Sequence, residues 1–406
     1  MMYIFQYIHP SDSHKLGQAE LVCIDEAAAI PVPMLTRMLK FYQRCIFSTT
    51  LYGYEGSGRG FVLRFQKVLD EVSPDWLDVQ LHEPIRWGAG DQLEAFMNHW
   101  LIMDGGLEQE NTLLQTPSFE RGILKGQASP VSRKPRFTKM GESKRGRLHA
   151  FAASAEDEMP YPVSSTTKAD KPVYSRYSQS ELAANESKLR GIFSLLVNAH
   201  YQTRPSDLRQ LLDAPQISIH VIEQNEKVVA VALLSHEGGL EEGLVADIHA
   251  GKRRPHGHLL AQSLTFHAGI EHAACLKCQR IMRIAVHPNY QYQGVGQFLL
   301  VKLNEYTRQQ QADYLGVSYA LSPGLLAFWR KAGFASVRLG FRKDTASGSR
   351  SLMQVRGLSD KGIALSRHAQ QLFQTGLPDW LEKLGDVPEA LADELQREFI
   401  NSEAKT

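Results

Sequence analysis

The chain has 406 residues, 43% hydrophobic and 22% charged, with a formal net charge of +1. This is the composition of an ordinary globular protein, long enough for two or three domains with real cores. The balanced charge gives no global field for nucleic acid, so any such signal has to be local. No run of about 18 apolar residues marks a membrane span. The N-terminus lacks the basic and apolar regions of a secretory signal, and four cysteines are too few for a disulfide framework. These features predict a cytoplasmic, reduced protein. The lone C-x-x-C of Cys275 and Cys278 has no second ligand pair and is expected to be structural.

Residues 1–116 alternate short apolar runs with helical spacing. Leu21-Val22-Cys23-Ile24 and Cys45-Ile46-Phe47-Ser48 read as buried strands, with a helix over Pro33 to Tyr42 between them, the pattern of a parallel α/β sheet. The first strand ends in Asp25-Glu26, the form of a Walker B motif. There an Asp holds Mg²⁺ through water and a Glu polarises the attacking water of a nucleotide hydrolase. Asp25 and Glu26 are therefore candidate nucleotide-binding residues, with Asp25 the candidate Mg²⁺ residue. Arg59, in the Gly-rich run Gly53 to Phe61, is a candidate γ-phosphate contact; the alternative is a tight turn with a solvated arginine. No G-x-x-x-x-G-K-[ST] precedes Asp25, so the chain is expected to begin inside such a domain.

Residues 117–172 are punctuated by proline and rich in small polar residues, as in a linker or long insertion. Within it, Arg133 to Arg147 holds seven Lys/Arg against Glu142 alone, a solvated linker or an RNA contact. Globular patterning returns over residues 173–355. Ser187 to Tyr201 predicts a helix; Ile217 to Ile222 and Val228 to Ser235 predict strands joined by a turn. A basic loop with Lys252, Arg253, Arg254, His256 and His258 follows, then a helix toward His272. Arg280 to His287 and Tyr314 to Tyr319 predict strands, Gly294 to Gln309 and Leu325 to Ala332 helices. Residues 356–406 form a mostly helical tail.

The strand Arg283-Ile284-Ala285-Val286-His287-Pro288 leads through Gln291-Tyr292-Gln293-Gly294-Val295-Gly296-Gln297 into an apolar helix, a Q-x-x-G-x-G loop between strand and helix. Glycines let a backbone approach a pyrophosphate, and amides at a helix start point at it. No Walker A lysine and no G-x-G-x-x-G accompany the loop. With the downstream Ala332-Gly333-Phe334, this segment resembles the coenzyme A loop of the GNAT acetyltransferases. That resemblance implies that the backbone of Ile284, Ala285 and Val286 pairs with the pantetheine arm and that Gln291 to Gln297 hold the pyrophosphate, with Lys331 a further coenzyme contact. Many GNAT enzymes place a thiolate-protonating Tyr where this chain has Trp329.

Together, "AELVCIDEAAAIPVPML", "STTLYGYEGSGRGF", "RRPHGHLLAQSLTFHAG", "RIAVHPNYQYQGVGQ" and "FWRKAGFASVRLGFRKDTASG" resemble the RNA cytidine acetyltransferases. The resemblance implies an α/β protein: part of a P-loop helicase-like parallel sheet (1–116), then a GNAT domain (173–355) and a helical tail that contacts tRNA. It implies acetyl transfer from acetyl-CoA to the exocyclic amine of an RNA cytidine. In the bacterial type this is the wobble cytidine of elongator tRNA(Met), with ATP or GTP hydrolysis and Mg²⁺ at the helicase-like module. The amine must lie outside a base stack to be reached. His287 is a candidate proton acceptor, or else a strand-end cap, and Arg253 and Arg254 are candidate RNA-phosphate contacts. A GNAT enzyme for protein or small amines, and a truncated remnant that binds RNA or coenzyme without turnover, remain as alternatives.

Overall fold

The computed structural model describes residues 7–8, 17–30, 32–50, 52–53, 56–57, 59–79, 81, 90–102, 171–199, 205–343, 349–385 and 387–397. The basic run 133–147, and the linker read over 117–172 except for its last two residues, lie outside them. The N-terminal elements are β1 Val22–Ile24, α1 Val32–Phe41, β2 Cys45–Phe47, β3 Tyr52–Gly53, β4 Gly56–Ser57, α2 Arg59–Val72 and α3 Gln92–Trp100. Next come β5 Val173–Tyr177, α4 Gln179–Ala183, α5 Glu186–Ala199, α6 Pro205–Asp213, β6 Ile217–Gln224, β7 Lys227–Gly238, α7 Glu242–His249 and α8 Leu259–Gln262. A π-helical turn, Ser263–His267, continues α8. They are followed by β8 Lys277–Val286, α9 Val295–Gln309, β9 Tyr314–Ala320, α10 Pro323–Lys331, β10 Ala335–Lys343, β11 Arg350–Gly357, α11 Asp360–Leu384 and α12 Glu389–Arg397.

β1 and β2 pair in parallel, Val22 opposite Cys45 and Ile24 opposite Phe47. Sequence reading expects both strands to be buried; only one face is. Ile24 packs with Leu35, Met38 and Phe65 of α1 and α2, with Val22, Cys45 and Phe47 at the margin, while Cys23 and Ile46 are exposed. Among the described residues helices cover a single side of this pair, so the alternate positions face outward.

The main sheet has seven strands in the order β10-β11-β9-β8-β7-β6-β5, antiparallel throughout except for the parallel pair β8–β9. β7 is apolar on both sides and buried from Val229 to Ser235. Its alternate residues serve different cores. Ala230, Ala232 and Leu234 pack with Leu299, Leu300 and Leu303 of α9 and Trp329 of α10. Val231 and Leu233 pack with Ile192, Leu195 and Leu196 of α5 and with α6. We call these the A face and the B face. On the far half of the sheet the B face is covered by α8, its π-turn and the start of α11, through Leu260, Leu264, Leu365 and Ala369 against Tyr314, Met353 and Val355. α3 docks on α5, where the Arg190 guanidinium donates to the His99 carbonyl at 2.9 Å, and Ile102 joins the α5 core. Among the described residues no helix is long and apolar enough to cross a membrane.

His220 of β6 is fully buried. Its Nδ1 lies 2.8 Å from the Tyr174 hydroxyl and its Nε2 2.9 Å from Ser218 Oγ, with the Tyr306 ring edge-on. Burial, reinforced by the charges of Arg176 and His236, pushes its pKa down to about 3. The ring is neutral when folded and free to protonate when unfolded, so the unfolded chain binds more protons between about pH 6.5 and 3, and stability falls as pH drops through that window. At up to ~1.4 kcal/mol per pH unit, wild type should lose about 2 kcal/mol more than His220→Gln between pH 7 and 4.5 in urea titrations. Equal losses would show that His220 does not carry this dependence.

Candidate functional site

The site is built where β8 and β9 part. Their parallel pairing runs only from Cys278 opposite Tyr314 to Ile281 opposite Val317, yet β8 continues to Val286 and β9 to Ala320. On its other side β8 stays paired with β7 as far as Val286 opposite Ala230, with a register shift around Met282. The His287 amide donates to the Val229 carbonyl at 2.9 Å. By the alternation of an antiparallel ladder, Ala285 also directs its backbone groups at β7, while Ile284 and Val286 direct theirs into the gap. The amides of Ile284 and Val286 and the Ile284 carbonyl thus line an opening between strands, a ready partner for an extended amide-bearing chain. Ala285 faces the other way: its side chain packs in the B-face core and its backbone belongs to β7.

At the end of β8 the chain makes a single 3₁₀ turn, Pro288–Tyr290, and enters the Q-x-x-G-x-G loop. The glutamines brace it. Gln291 Nε2 donates to the Val286 carbonyl at 3.1 Å, Gln293 Nε2 to the Asn289 carbonyl at 2.7 Å, and Gln297 Nε2 to the Phe328 carbonyl of α10 at 2.9 Å. Gly294 is the N-cap of α9 with φ 82°, and open space surrounds its absent side chain. Tyr292 has φ 61° and a fully exposed ring. Gly296 lets α9 close on the sheet: a Cβ there would sit 3.0 Å from the Phe328 ring and 3.4 Å from Val286. The first α-helical bond is Phe298 N–H to the Gly294 carbonyl at 2.9 Å. The amides of Val295, Gly296 and Gln297 precede it, and no side chain caps them. Uncapped amides and the positive end of the helix dipole form an anion seat, beside the lined gap.

His287 is half-buried against Tyr290. Its Nδ1 accepts the Asn289 amide at 3.2 Å, capping the 3₁₀ turn. Burial, then the charge of Lys227, lowers its pKa. The neutral ring so bonded carries its hydrogen on Nε2, and the lone pair a general base needs is already engaged. Trp329 points into the A-face core, stacked on Tyr319 at 6.0 Å, and its buried indole N–H has no acceptor among the described residues. Lys331 is exposed in the last turn of α10, three residues beyond Phe328. Sequence reading missed Tyr319. It lies two residues past the last β8–β9 pair and packs on the A-face core, its hydroxyl donating to Gln354 Oε1 at 2.8 Å; a position set by strand register shows in no local pattern.

At the N-terminal pair, Asp25 and Ser48 follow adjacent parallel strands. Ser48 Oγ donates to Asp25 Oδ1 at 2.6 Å, and the Glu26 amide donates to the same oxygen at 3.0 Å. Asp25 Oδ2 accepts no bond among the described residues, so an exposed carboxylate is oriented by one oxygen and open at the other. Glu26 has a left-handed backbone, φ 48°. Arg59 begins α2, and its side chain lies outside the described residues. Arg253 and Arg254 are exposed. In the same loop His258 is structural, its Nδ1 accepting the Gly238 amide at 3.0 Å. Cys278 is packed in the core under Tyr314 with its thiol pKa pushed well up by burial.

Residues 2–104 match the family described as RNA cytidine acetyltransferase NAT10/TcmA, helicase domain. Residues 191–312 and 297–359 match GNAT acetyltransferase 2. The tRNA(Met) cytidine acetyltransferase TmcA of Nitrosococcus halophilus is 38% identical, over 93% of this chain and 44% of its own length. The chain belongs to the RNA cytidine acetyltransferase family. The TmcA of Vibrio cholerae is 34% identical over 95% of this chain and 46% of its own length. The chain thus spans about half the length of the curated relatives it matches. Among solved structures, the ribosomal-protein-S18-alanine N-acetyltransferase from Escherichia coli covers 47% of this chain and 95% of its own at 15% identity, with a TM-score of 0.32. In this chain the helicase match spans β1 to α3, and the GNAT match spans α5 to β11.

Proposed function

We propose that the chain transfers an acetyl group from acetyl-CoA to the exocyclic amine of an RNA cytidine, with the wobble cytidine of elongator tRNA(Met) as the substrate. The observation that carries this is the opening between β8 and β9, lined by the backbone of Ile284 and Val286 and adjoining the uncapped amides of Val295 to Gln297. It supports pantetheine pairing along β8, the pyrophosphate on α9, and Lys331 as an outer coenzyme contact. The family's helicase domain and the tRNA named for its relatives favour RNA over a protein or small amine as acceptor.

α9 packs on the A face, so the coenzyme enters from that side and the cytosine approaches the thioester from the B face. The neutral amine attacks the carbonyl carbon and a C–N bond forms. A strand amide facing the gap stabilises the oxyanion; the C–S bond then breaks and coenzyme A leaves as its thiol, while the amine gives up one proton. For His287 to accept that proton, its Nδ1 must first release the Asn289 amide. At the other module, Asp25 Oδ2, Glu26 and Arg59 would hold ATP or GTP with Mg²⁺; the oriented, open carboxylate fits that role.

The test is incubation with labelled acetyl-CoA, ATP and unmodified elongator tRNA(Met). Label recovered as N4-acetylcytidine is the expected result; label only in protein or small amines, never in RNA, would overturn the reading.

A further inference from the structure

The segments over the far half of the B face carry basic residues with almost no acids. From Ile248 to Ile270 there is no Asp or Glu, against Lys252, Arg253, Arg254 and four histidines. From Ala335 to Ser359, in β10, β11 and the residues joining them, five Lys/Arg face one acid, Asp344. In α11, Lys361 to Pro378 holds Lys361, Arg367 and His368 and no carboxylate. The chain as a whole is balanced, so this is segregation rather than bias.

The fold brings these segments together. Leu260 packs on Gly316 of β9, and Leu264 shares a core with Val337 and Met353. Arg338 of β10 stands opposite Met353, which stands opposite Ser318 of β9, one residue past the last β8–β9 pair. Arg338 is thus level with the opening, two strand spacings from β9, or about 10 Å. His267 ends the π-turn over this region, and the charges of Arg338 and Arg254 both bear on it. The half-exposed Phe266 lies edge-on to His267, its ring against Gly251 beside the basic loop.

Arg338 is half-buried, and burial works against its charge. Among the described residues it has no carboxylate partner; its guanidinium makes a long approach to Met353 Sδ, 4.0 Å. A lysine or arginine guarding an edge strand works fully solvated. A guanidinium that is partly desolvated, with no carboxylate beside it, is held at a cost that an incoming anion offsets.

We propose that Arg338, Arg254 and His267, with Phe266 beside them, form a phosphate-and-base seat for the RNA strand next to the acetylated cytidine. The proposal rests on the RNA-acetyltransferase reading above. The cations take the backbone phosphates, and the exposed ring offers a face for an unstacked base. The seat lies on the B face, the side from which the cytosine must approach, within a short stretch of nucleotides of the opening.

The test is binding of an unmodified elongator tRNA(Met) transcript by the full chain across a salt series. Variants are Arg338→Gln, Arg254→Gln in the exposed loop, which avoids any folding defect, and Arg338→Lys. Each Gln substitution should weaken binding about 5–10-fold and reduce the slope of log K against log salt by roughly one. Arg338→Lys should recover part of the affinity, and coenzyme A binding should stay unchanged. Wild-type affinity and slope in both Gln variants would overturn the seat while leaving the acetyltransferase reading intact. Failure of wild type to bind RNA would overturn both.

Discussion

Gly294→Val should bind coenzyme A about 30–100-fold more weakly than wild type in calorimetric titration, with an unchanged far-ultraviolet spectrum. Gly294 caps α9 at φ 82°, a conformation that a β-branched residue adopts only with strain. Nothing crowds the position, so the side chain itself is tolerated and the defect is one of backbone. Relaxing φ rotates the first turn and turns the amides of Val295, Gly296 and Gln297 away from a common point. Each hydrogen bond to a charged group contributes about 1.5–3 kcal/mol, and the loss of about one such bond gives the stated range. Unaltered affinity would mean that the pyrophosphate is not held at this helix start.

Glu237→Ala should lower the unfolding free energy by about 3–5 kcal/mol, the cost of breaking a buried ion pair from one side. The Glu237 carboxylate is almost wholly buried. Oε1 accepts Arg280 Nε at 2.6 Å and Oε2 accepts the Leu260 amide at 2.8 Å. One side chain of β7 therefore neutralises a cation on β8 and caps α8 over the B face. Its removal leaves a half-buried guanidinium and an amide unmatched. A double substitution, Glu237→Leu with Arg280→Met, should recover most of the loss, because it removes both charges together. A loss under 1 kcal/mol for the single variant in urea denaturation would show that water reaches this pair.

The features set by local chemistry were legible in the sequence. Gly294 and Gly296 sit where a Q-x-x-G-x-G loop needs a left-handed cap and a close helix approach. The helices at 186–199, 295–309 and 323–331 and the strands β6 to β9 follow their apolar periods within a few residues. What depends on pairing across the chain was not legible. The opening exists because β8 and β9 lose register after Ile281 and Val317, which neither strand announces on its own. β10 shows no clean alternation, because the shift between Ser336 and Arg338 puts Val337 and Arg338 out of phase. The short runs Leu21 to Ile24 and Cys45 to Ser48 predict buried strands, but Cys23 and Ile46 face outward. His287 ends its strand as expected, yet its engaged Nδ1 becomes visible only with the Asn289 amide in place. The cation cluster leaves one trace in the sequence, the single acid between Ala335 and Ser359.

The central claim is that coenzyme A lies in the β8–β9 opening with its pyrophosphate at the start of α9. Residue-resolved amide hydrogen exchange with and without coenzyme A tests it most directly. Slowed exchange is expected at Ile284 and Val286, which face the gap, and at Val295, Gly296 and Gln297, with no change at Ala285, already bonded to β7. Protection elsewhere, with these five amides exchanging as in the free chain, would contradict it.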